Sequence, residues 1–328
     1  MILYSTPMKK KKSLLQKTIW KMVRSQKKKQ EVITYMEKHS PHLLWNEYRS
    51  GKIRECCNIL RFLNYWSGNV KLYTANFCKY DKLCLACATR RAIKKIQHFE
   101  QWIVQYWLEK KYWYHITLTI RHSKKDSLEQ LMDRLISLRK KLSQYIRNSK
   151  RKEQKKESFF SQFEGMVASV EVTYWKHWWH PHLHVLVCWD ISVHTEYSSF
   201  LKTESNKELQ KEWYSLTNDS YSVAIRKINV SKHHFDRQWI AEVFKYAVKF
   251  TTLEVPQLVE LIALQKKKQY RFYATFGSFR GRKVEPKKYK KKLTKHDITY
   301  SDKIIYSDFK FDPETNRFWM KTRVLEIE

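Results

Sequence analysis

No run of 18 or more apolar residues occurs anywhere in the chain, so no membrane-spanning helix is expected. The N-terminus has no apolar stretch followed by a small-residue cleavage site, so no secretory signal is expected and the cytoplasm is the expected location. Internal repeats and proline-rich linkers are missing. Acidic residues are scarce: 32 Asp and Glu stand against 65 Lys and Arg, a formal net charge of +33 over 328 residues. That imbalance calls for a polyanionic partner. Nucleic acid leads, because neutralised phosphates release counterions; a membrane surface is the weaker alternative.

Hydrophobic residues make up 42% of the chain, which argues for a packed core in one large or two modest domains. Aromatics reach 15%, with 13 Trp and 20 Tyr. Most belong in a core, but rings mixed with basic residues also suit single-stranded nucleic acid, whose bases stack on them. Six cysteines in a reducing compartment favour metal binding over disulfides.

The pattern centres on Met166 to Asp190, with histidines at alternate positions, His180, His182 and His184. Alternation is the strand period, so these imidazoles share one face while Pro181, Leu183, Val185 and Val187 take the other. Met166 to Tyr174 also alternates, predicting a hairpin joined by a Trp-rich loop. On that first strand Glu171 and Thr173 share a face. Two or three imidazoles with one carboxylate would make a divalent metal site with open positions; the plainer reading is a wet sheet face.

Five cysteines, Cys56, Cys57, Cys78, Cys84 and Cys87, fall within residues 51 to 95. Cys78, Cys84 and Cys87 with either Cys57 or Cys56 would supply four thiolates for a closed structural zinc site. The alternative is a set of reduced, buried thiols. Arg90, Arg91, Lys94 and Lys95 follow at once as candidate DNA-binding residues. Helices are expected over Ala88–Leu108 and Leu128–Ile146, and strands over Tyr112–Ile120 and Ser222–Val230. Residues 1 to about 40 read as a basic, mobile arm with one amphipathic helix, holding DNA or merely solubilising. Residues beyond Thr251 read as a basic extension that follows a phosphate backbone.

Gln238 to Phe250 reads as a helix that buries Trp239, Ile240, Val243, Phe244, Ala247 and Phe250. Its other side aligns Glu242, Tyr246 and Lys249 at spacings of four and three. Tyrosine is a poor nucleophile unaided, with a pKa of about 10. By pattern alone this is an ordinary exposed tyrosine.

Taken together, EVTY, HPHLHVLV and EVFKYAVK resemble the plasmid rolling-circle replication initiators of the HUH endonuclease superfamily. His182-Leu183-His184 matches that superfamily's metal motif. Tyr246 with Lys249 matches its nucleophile motif, and Glu242 the preceding glutamate of related initiators. HITLT at His115–Thr119 matches the first family motif, and a cysteine cluster ending in CxxC before a basic helix also occurs there. The resemblance covers roughly Cys56 to Arg282.

It implies an α+β fold: a ferredoxin/RRM-like antiparallel sheet with helices, plus a small cysteine-rich N-terminal module. The implied segments are a basic arm (1–50), a probable zinc module (51–95), a nicking endonuclease domain (96–255) and a basic extension (256–328). It implies magnesium or manganese held by His182 and His184 with Glu171 or His180, and a structural zinc. Tyr246 would cut single-stranded or hairpin origin DNA, leaving a 3′-OH and a 5′-phosphotyrosine link. Lys249 would steady the phosphate, and Glu242 would activate water for release. A host helicase and polymerase would be partners. The alternatives are an HUH transposase or mobilisation relaxase, or a non-enzymatic zinc protein that binds nucleic acid.

Overall fold

The computed structural model describes residues 14–44, 47–64, 70–81, 84–106, 111–148, 158–190, 204–228, 230–231, 234–235, 243, 253–281 and 305–324. The helices are α1 (Leu14–His39), α2 (Glu47–Glu55), α3 (Leu85–Tyr106), α4 (Leu128–Asn148), α5 (Glu204–Thr217) and α6 (Val255–Lys268). The strands are β1 (Ile59–Asn64), β2 (Val70–Ala75), β3 (Lys111–Thr119), β4 (Gly165–Trp175), β5 (Trp178–Asp190) and β6 (Val223–Ile228). They continue with β7 (Val230–Ser231), β8 (His234–Phe235), β9 (Tyr273–Gly277), β10 (Ile305–Asp312) and β11 (Arg317–Val324). The chain is α+β, with antiparallel sheets and helices, as the resemblance implies.

Two compact units emerge. One comprises Ala92–Leu253 with Leu264–Val284; the other comprises Met1–Arg91, Glu254–Ala263 and Glu285–Glu328. The second unit thus draws on the segments read as the arm (1–50) and nearly all of the cysteine module (51–95), while the segment read as the extension (256–328) is divided between the two units.

The first unit is built on a five-stranded antiparallel sheet in the order β6-β3-β5-β4-β9. Its centre is the hairpin of β4 and β5, whose β-branched, alternating sequences suit a half-polar sheet. The expected Trp-rich loop is only a two-residue turn. Lys176 (φ 49°) and His177 (φ 70°) both take the left-handed conformation that such a tight hairpin requires. β9 pairs with β4 at the sheet edge, with Gly165 opposite Gly277 and Ser169 opposite Tyr273. The sequence pattern placed no strand there, because five residues offer too little periodicity to read.

Register sorts this sheet into two faces. Tyr114, Ile116, Leu118, Val170, Leu183 and Val185 are buried on one, and α4 packs against β4, β5 and β9. α4 opens with a capping box: Ser127 Oγ accepts from Gln130 N (3.2 Å), and Gln130 Oε1 accepts from Ser127 N (3.0 Å). The other face carries Trp113, Val167, Leu186 and Cys188 at one end, packed with Phe99 and Ile103 of α3, Ile228, Phe279 and Val243. The histidines occupy the rest of that face.

The basic residues of the C-terminal region are partly used inside the fold. Lys267 Nζ lies 2.9 Å from Glu129 Oε2, and Lys268 Nζ lies 2.9 Å from Asp133 Oδ2, both acids belonging to α4. Those lysines form exposed ion pairs with α4. Arg282 and Lys287–Lys292 lie outside the described residues.

The second unit has a four-stranded antiparallel sheet, β11-β10-β1-β2. Arg61 of β1 and Asp308 of β10 face each other in register and form a two-point ion pair at 2.6 and 2.8 Å. α1 is no free arm. Ile19, Gln26, Lys29, Val32, Ile33 and Met36 are buried along it, a stripe at helical spacing that includes two polar residues and so escaped the hydrophobic pattern.

Gly277 is left-handed (φ 62°), and an added Cβ would meet Glu164 O at 2.3 Å and Ile146 Cγ2 at 2.9 Å. Gly277→Ala is expected to cost about 2–4 kcal/mol, seen as a melting temperature lower by about 5–15 °C. Gly281→Ala is the control. Its φ is also positive (73°), but nothing lies within 4 Å of the added atom, so its loss should be clearly smaller.

Candidate active site

The register of three strands assembles the site. β5 runs between β3 and β4, so His184 lies beside Thr117 and Ser169, His182 beside Thr119 and Glu171, and His180 beside Thr173. Thr119 Oγ1 is 2.9 Å from His182 Nδ1, and Thr117 Oγ1 is 3.4 Å from His184 Nδ1. His184 Nε2 is hydrogen-bonded to Glu171 Oε2, in a pair almost wholly buried. His115 Nε2, from β3, is 3.3 Å from His184 Nδ1, and the two rings stack at 5.3 Å.

A fifth histidine was invisible to the sequence reading because it lies outside the alternating motif. His122, just beyond β3, has Nδ1 2.9 Å from the Ile120 carbonyl and Nε2 2.6 Å from His180 Nδ1. A carbonyl can only accept, so His122 Nδ1 carries hydrogen. In its neutral form His122 then accepts at Nε2 from His180 Nδ1. That leaves the lone pair of neutral His180 on Nε2, an atom that is buried without a hydrogen-bond partner among the described residues. Ser169 Oγ, in the same row as His184, is also buried without one.

Burial lowers His182 to about 4, with His184, His180 and His122 adding to the effect. Burial lowers His115 to about 3, with His184 and Arg226 adding. Burial, then His122, lowers His180 as well. These imidazoles are therefore neutral near pH 7, the form a metal requires of a histidine ligand. Imidazoles with one carboxylate are the donor types that a hard or borderline divalent cation takes, and among them His180 Nε2 is buried without a hydrogen-bond partner among the described residues. Glu171, in register with His182 and bonded to His184, sits closer to the pair than does His180, which is engaged by His122.

The cysteines form a tighter cluster. The sulfurs of Cys56, Cys78, Cys84 and Cys87 all lie within 4.8 Å of one another and could hold a metal ion. Among the described residues this is the one set of three or more His, Cys, Asp or Glu ligand atoms so gathered. The fourth member is Cys56, not Cys57. Cys57 is left-handed (φ 60°), and this turn of the backbone sends consecutive side chains in different directions. Cys56 Sγ also accepts from Cys78 N at 3.3 Å, and hydrogen bonds from Cys57, Cys78 and Cys84 pull its thiol down to about 4.

Lys29 reaches this cluster from α1. It is 2% exposed, and its ammonium donates to Arg54 O (2.7 Å) and Cys56 O (2.8 Å). Gln26 Nε2 donates to the same Cys56 carbonyl at 2.8 Å. Burial lowers the Lys29 pKa, while Cys84, Cys56, Cys57 and Cys78 oppose that shift. Lys29 lies in the basic arm that the sequence pattern expects to hold DNA or merely to solubilise, and the fold buries it.

The candidate DNA contacts divide. Arg91 is ion-paired with Asp81, Arg90 stacks 4.2 Å over Phe77, and Lys95 lies 4.3 Å over Tyr273. Lys94 is exposed. Glu242, Tyr246 and Lys249 lie outside the described residues. Their neighbour Val243 is described, and it is buried in the apolar cluster on the histidine-bearing face.

Fold and clusters thus define an α+β protein with one imidazole-bearing sheet face and one four-cysteine centre. A family model described as replication protein (Rep_1) matches residues 69–317, and the chain belongs to that family. The chain is 29% identical over 226 residues to a protein named Protein rep from Bacillus sp, covering 62% of this chain and 67% of that one. It is 28% identical over 226 residues to Protein rep of Bacillus amyloliquefaciens, covering 62% and 60%. It is 28% identical over 176 residues to Protein rep of Streptococcus pneumoniae serotype 2 (strain D39 / NCTC 7466), covering 52% and 49%. No solved structure matches. The resemblance to plasmid rolling-circle initiators is borne out at the level of family.

Two measurements test the clusters. Native mass spectrometry should find one zinc per chain, lost in Cys56→Ser and kept in Cys57→Ser; the reverse pattern would overturn the four-sulfur assignment. Acid should destabilise the chelator-treated protein. The unfolded chain takes up protons below about pH 6.5, whereas folded His182 and His115 do so only near 4 and 3. Their contribution is thus complete above about pH 6.5 and falls away as pH drops toward 4 and then 3. Urea midpoints should fall between pH 7 and 5, and fall less in His115→Asn.

Proposed function

We propose that this chain initiates plasmid rolling-circle replication by nicking single-stranded origin DNA through Tyr246. The observation that carries the reading is the position of Val243. This residue, one after Glu242 and three before Tyr246, is buried on the same sheet face as His182 and His184. Burial of Val243 on that face supports reading the nucleophile motif that contains it in sequence together with the metal motif of β5.

In this reading His182, His184 and Glu171 hold a magnesium or manganese ion, with His180 as the alternative third donor. Such an ion, when bound, offsets negative charge on the nonbridging oxygens of the scissile phosphate. Thr119 accepts a hydrogen bond from His182 Nδ1, leaving the Nε2 lone pair for ligation. Tyr246 Oη forms a bond to phosphorus as the bond to the 3′-oxygen breaks. The phenolic proton passes through solvent to the departing 3′-oxygen, which leaves as a hydroxyl that a polymerase can extend. Lys249 steadies the phosphate, and Glu242 takes a proton from the water that later frees Tyr246. The four cysteines hold a structural zinc, whose closed thiolate set leaves no position for substrate. A host helicase and polymerase complete the replication machinery.

The test is covalent trapping. Single-stranded DNA from the replicon's own noncoding region, mixed with protein and manganese, should give an adduct on a denaturing gel. Tyr246→Phe and His182→Ala should each reduce it at least 100-fold, on the scale of losing a nucleophile or a metal ligand. An undiminished adduct in Tyr246→Phe would move the nucleophile elsewhere. Tight binding without cleavage on any segment would favour a non-enzymatic DNA-binding protein.

A further inference from the structure

The histidine-bearing face does not end at His180. Trp178 of β5 and Trp175 of β4 stand opposite each other in register, with the same strand parity as His180, His182, Glu171 and Thr173. Their rings approach His180 at 5.9 and 6.0 Å. Trp175 is 60% exposed, unusual for a ring of that size. Two ammonium groups attend the pair: Lys176 Nζ lies 4.2 Å from the Trp175 ring centre, and Lys124 Nζ 5.6 Å from that of Trp178. The turn that presents them is held by two left-handed, non-glycine residues, Lys176 and His177. Burial explains Trp179, 5% exposed and on the opposite face, but leaves the position of Trp175 unexplained.

We infer that the Trp175–Trp178 hairpin tip is a base-stacking platform for unpaired DNA beside the candidate active site. The occupant follows from the chemistry. An exposed ring with an ammonium over one face can take a base on the other, the ammonium groups suit the flanking phosphates, and a chain of net charge +33 draws a polyanion to its surface. Duplex DNA fits poorly, because its bases are already stacked on one another. Trp178 lies four residues along β5 from His182, roughly 13 Å at the rise of a strand, within reach of the nucleotides next to a phosphate held there. The inference rests on the nicking reading for what lies beside the platform, but its own readout is binding.

The test compares the full chain with Trp175→Ala and Trp175→Tyr. Fluorescence anisotropy follows a labelled oligothymidylate of about a dozen nucleotides, within the usual single-strand site size. An abasic oligomer of equal length and charge serves as the control. Trp175→Ala is expected to weaken oligothymidylate binding by about 5- to 100-fold, the range for one lost base stack. Binding of the abasic oligomer should not change, and Trp175→Tyr should keep most of the affinity. Oligothymidylate affinity unaltered in Trp175→Ala would overturn the platform. So would an equal loss on the abasic oligomer, since that would mark a charge or folding effect. Absent cleavage by the unaltered chain would sink the nicking reading and leave the platform standing; a failed Trp175→Ala result would do the opposite.

Discussion

Everything at the candidate active site depends on the registers of β5 against β3 and β4. The side-chain period of a strand is two, so a slip of one residue would exchange the faces. His180, His182 and His184 would then enter the packed side, and Leu183 and Val185 would meet solvent. Two independent restraints prevent that. The two-residue turn at Lys176 and His177 sets the hairpin pairing, and the apolar residues facing α4 admit no polar substitutes. The same pairing puts Glu171 opposite His182 and Thr119 on its other side. One set of backbone hydrogen bonds thus positions carboxylate, imidazole and hydroxyl together.

Along this single face the chemistry changes in steps. Trp113, Leu186 and Cys188 make an apolar end with α3 and Val243. His184, His182 and Glu171 make a polar middle, and Trp178 with Trp175 forms the exposed tip. Burial does double service in the middle. It keeps His182 neutral, which suits it to a cation, and it makes each unsatisfied lone pair costly. His122 takes part in that economy of hydrogen bonds by fixing which nitrogen of His180 carries hydrogen.

The cysteine centre does for its unit what the sheet register does for the other. Cys56 and Cys57 follow α2, Cys78 follows β2, and Cys84 and Cys87 begin α3. Four sulfurs from three segments tie helix starts and strand ends to one point. Lys29 and Gln26 bind α1 to the same point through the Cys56 carbonyl. A buried ammonium next to several thiolates is tolerable because opposite charges share the low-dielectric space. Membership of the replication protein family gives these two clusters a common setting.

The sequence by itself determined the α+β class, the hairpin, the helices α3 and α4, and the sharing of one face by three histidines. The class follows from the family resemblance; the hairpin, the two helices and the shared face follow from local periodicity, which a strand or helix expresses within its own residues. It also narrowed the candidate metal-binding thiols to five cysteines. Tertiary structure decided what depends on residues distant in sequence. It chose Cys56 over Cys57, because a left-handed turn separates two neighbours that look alike in the sequence. It brought His122 to His180, since His122 lies outside the alternating motif, and it buried Lys29, whose charge hides it in a hydrophobic pattern. It also drew β9 onto β4 and β10 onto β1, pairings closed by partners more than a hundred residues away. Short strands carry too few alternations to announce themselves, and only the hydrogen bonds of a neighbour make them strands.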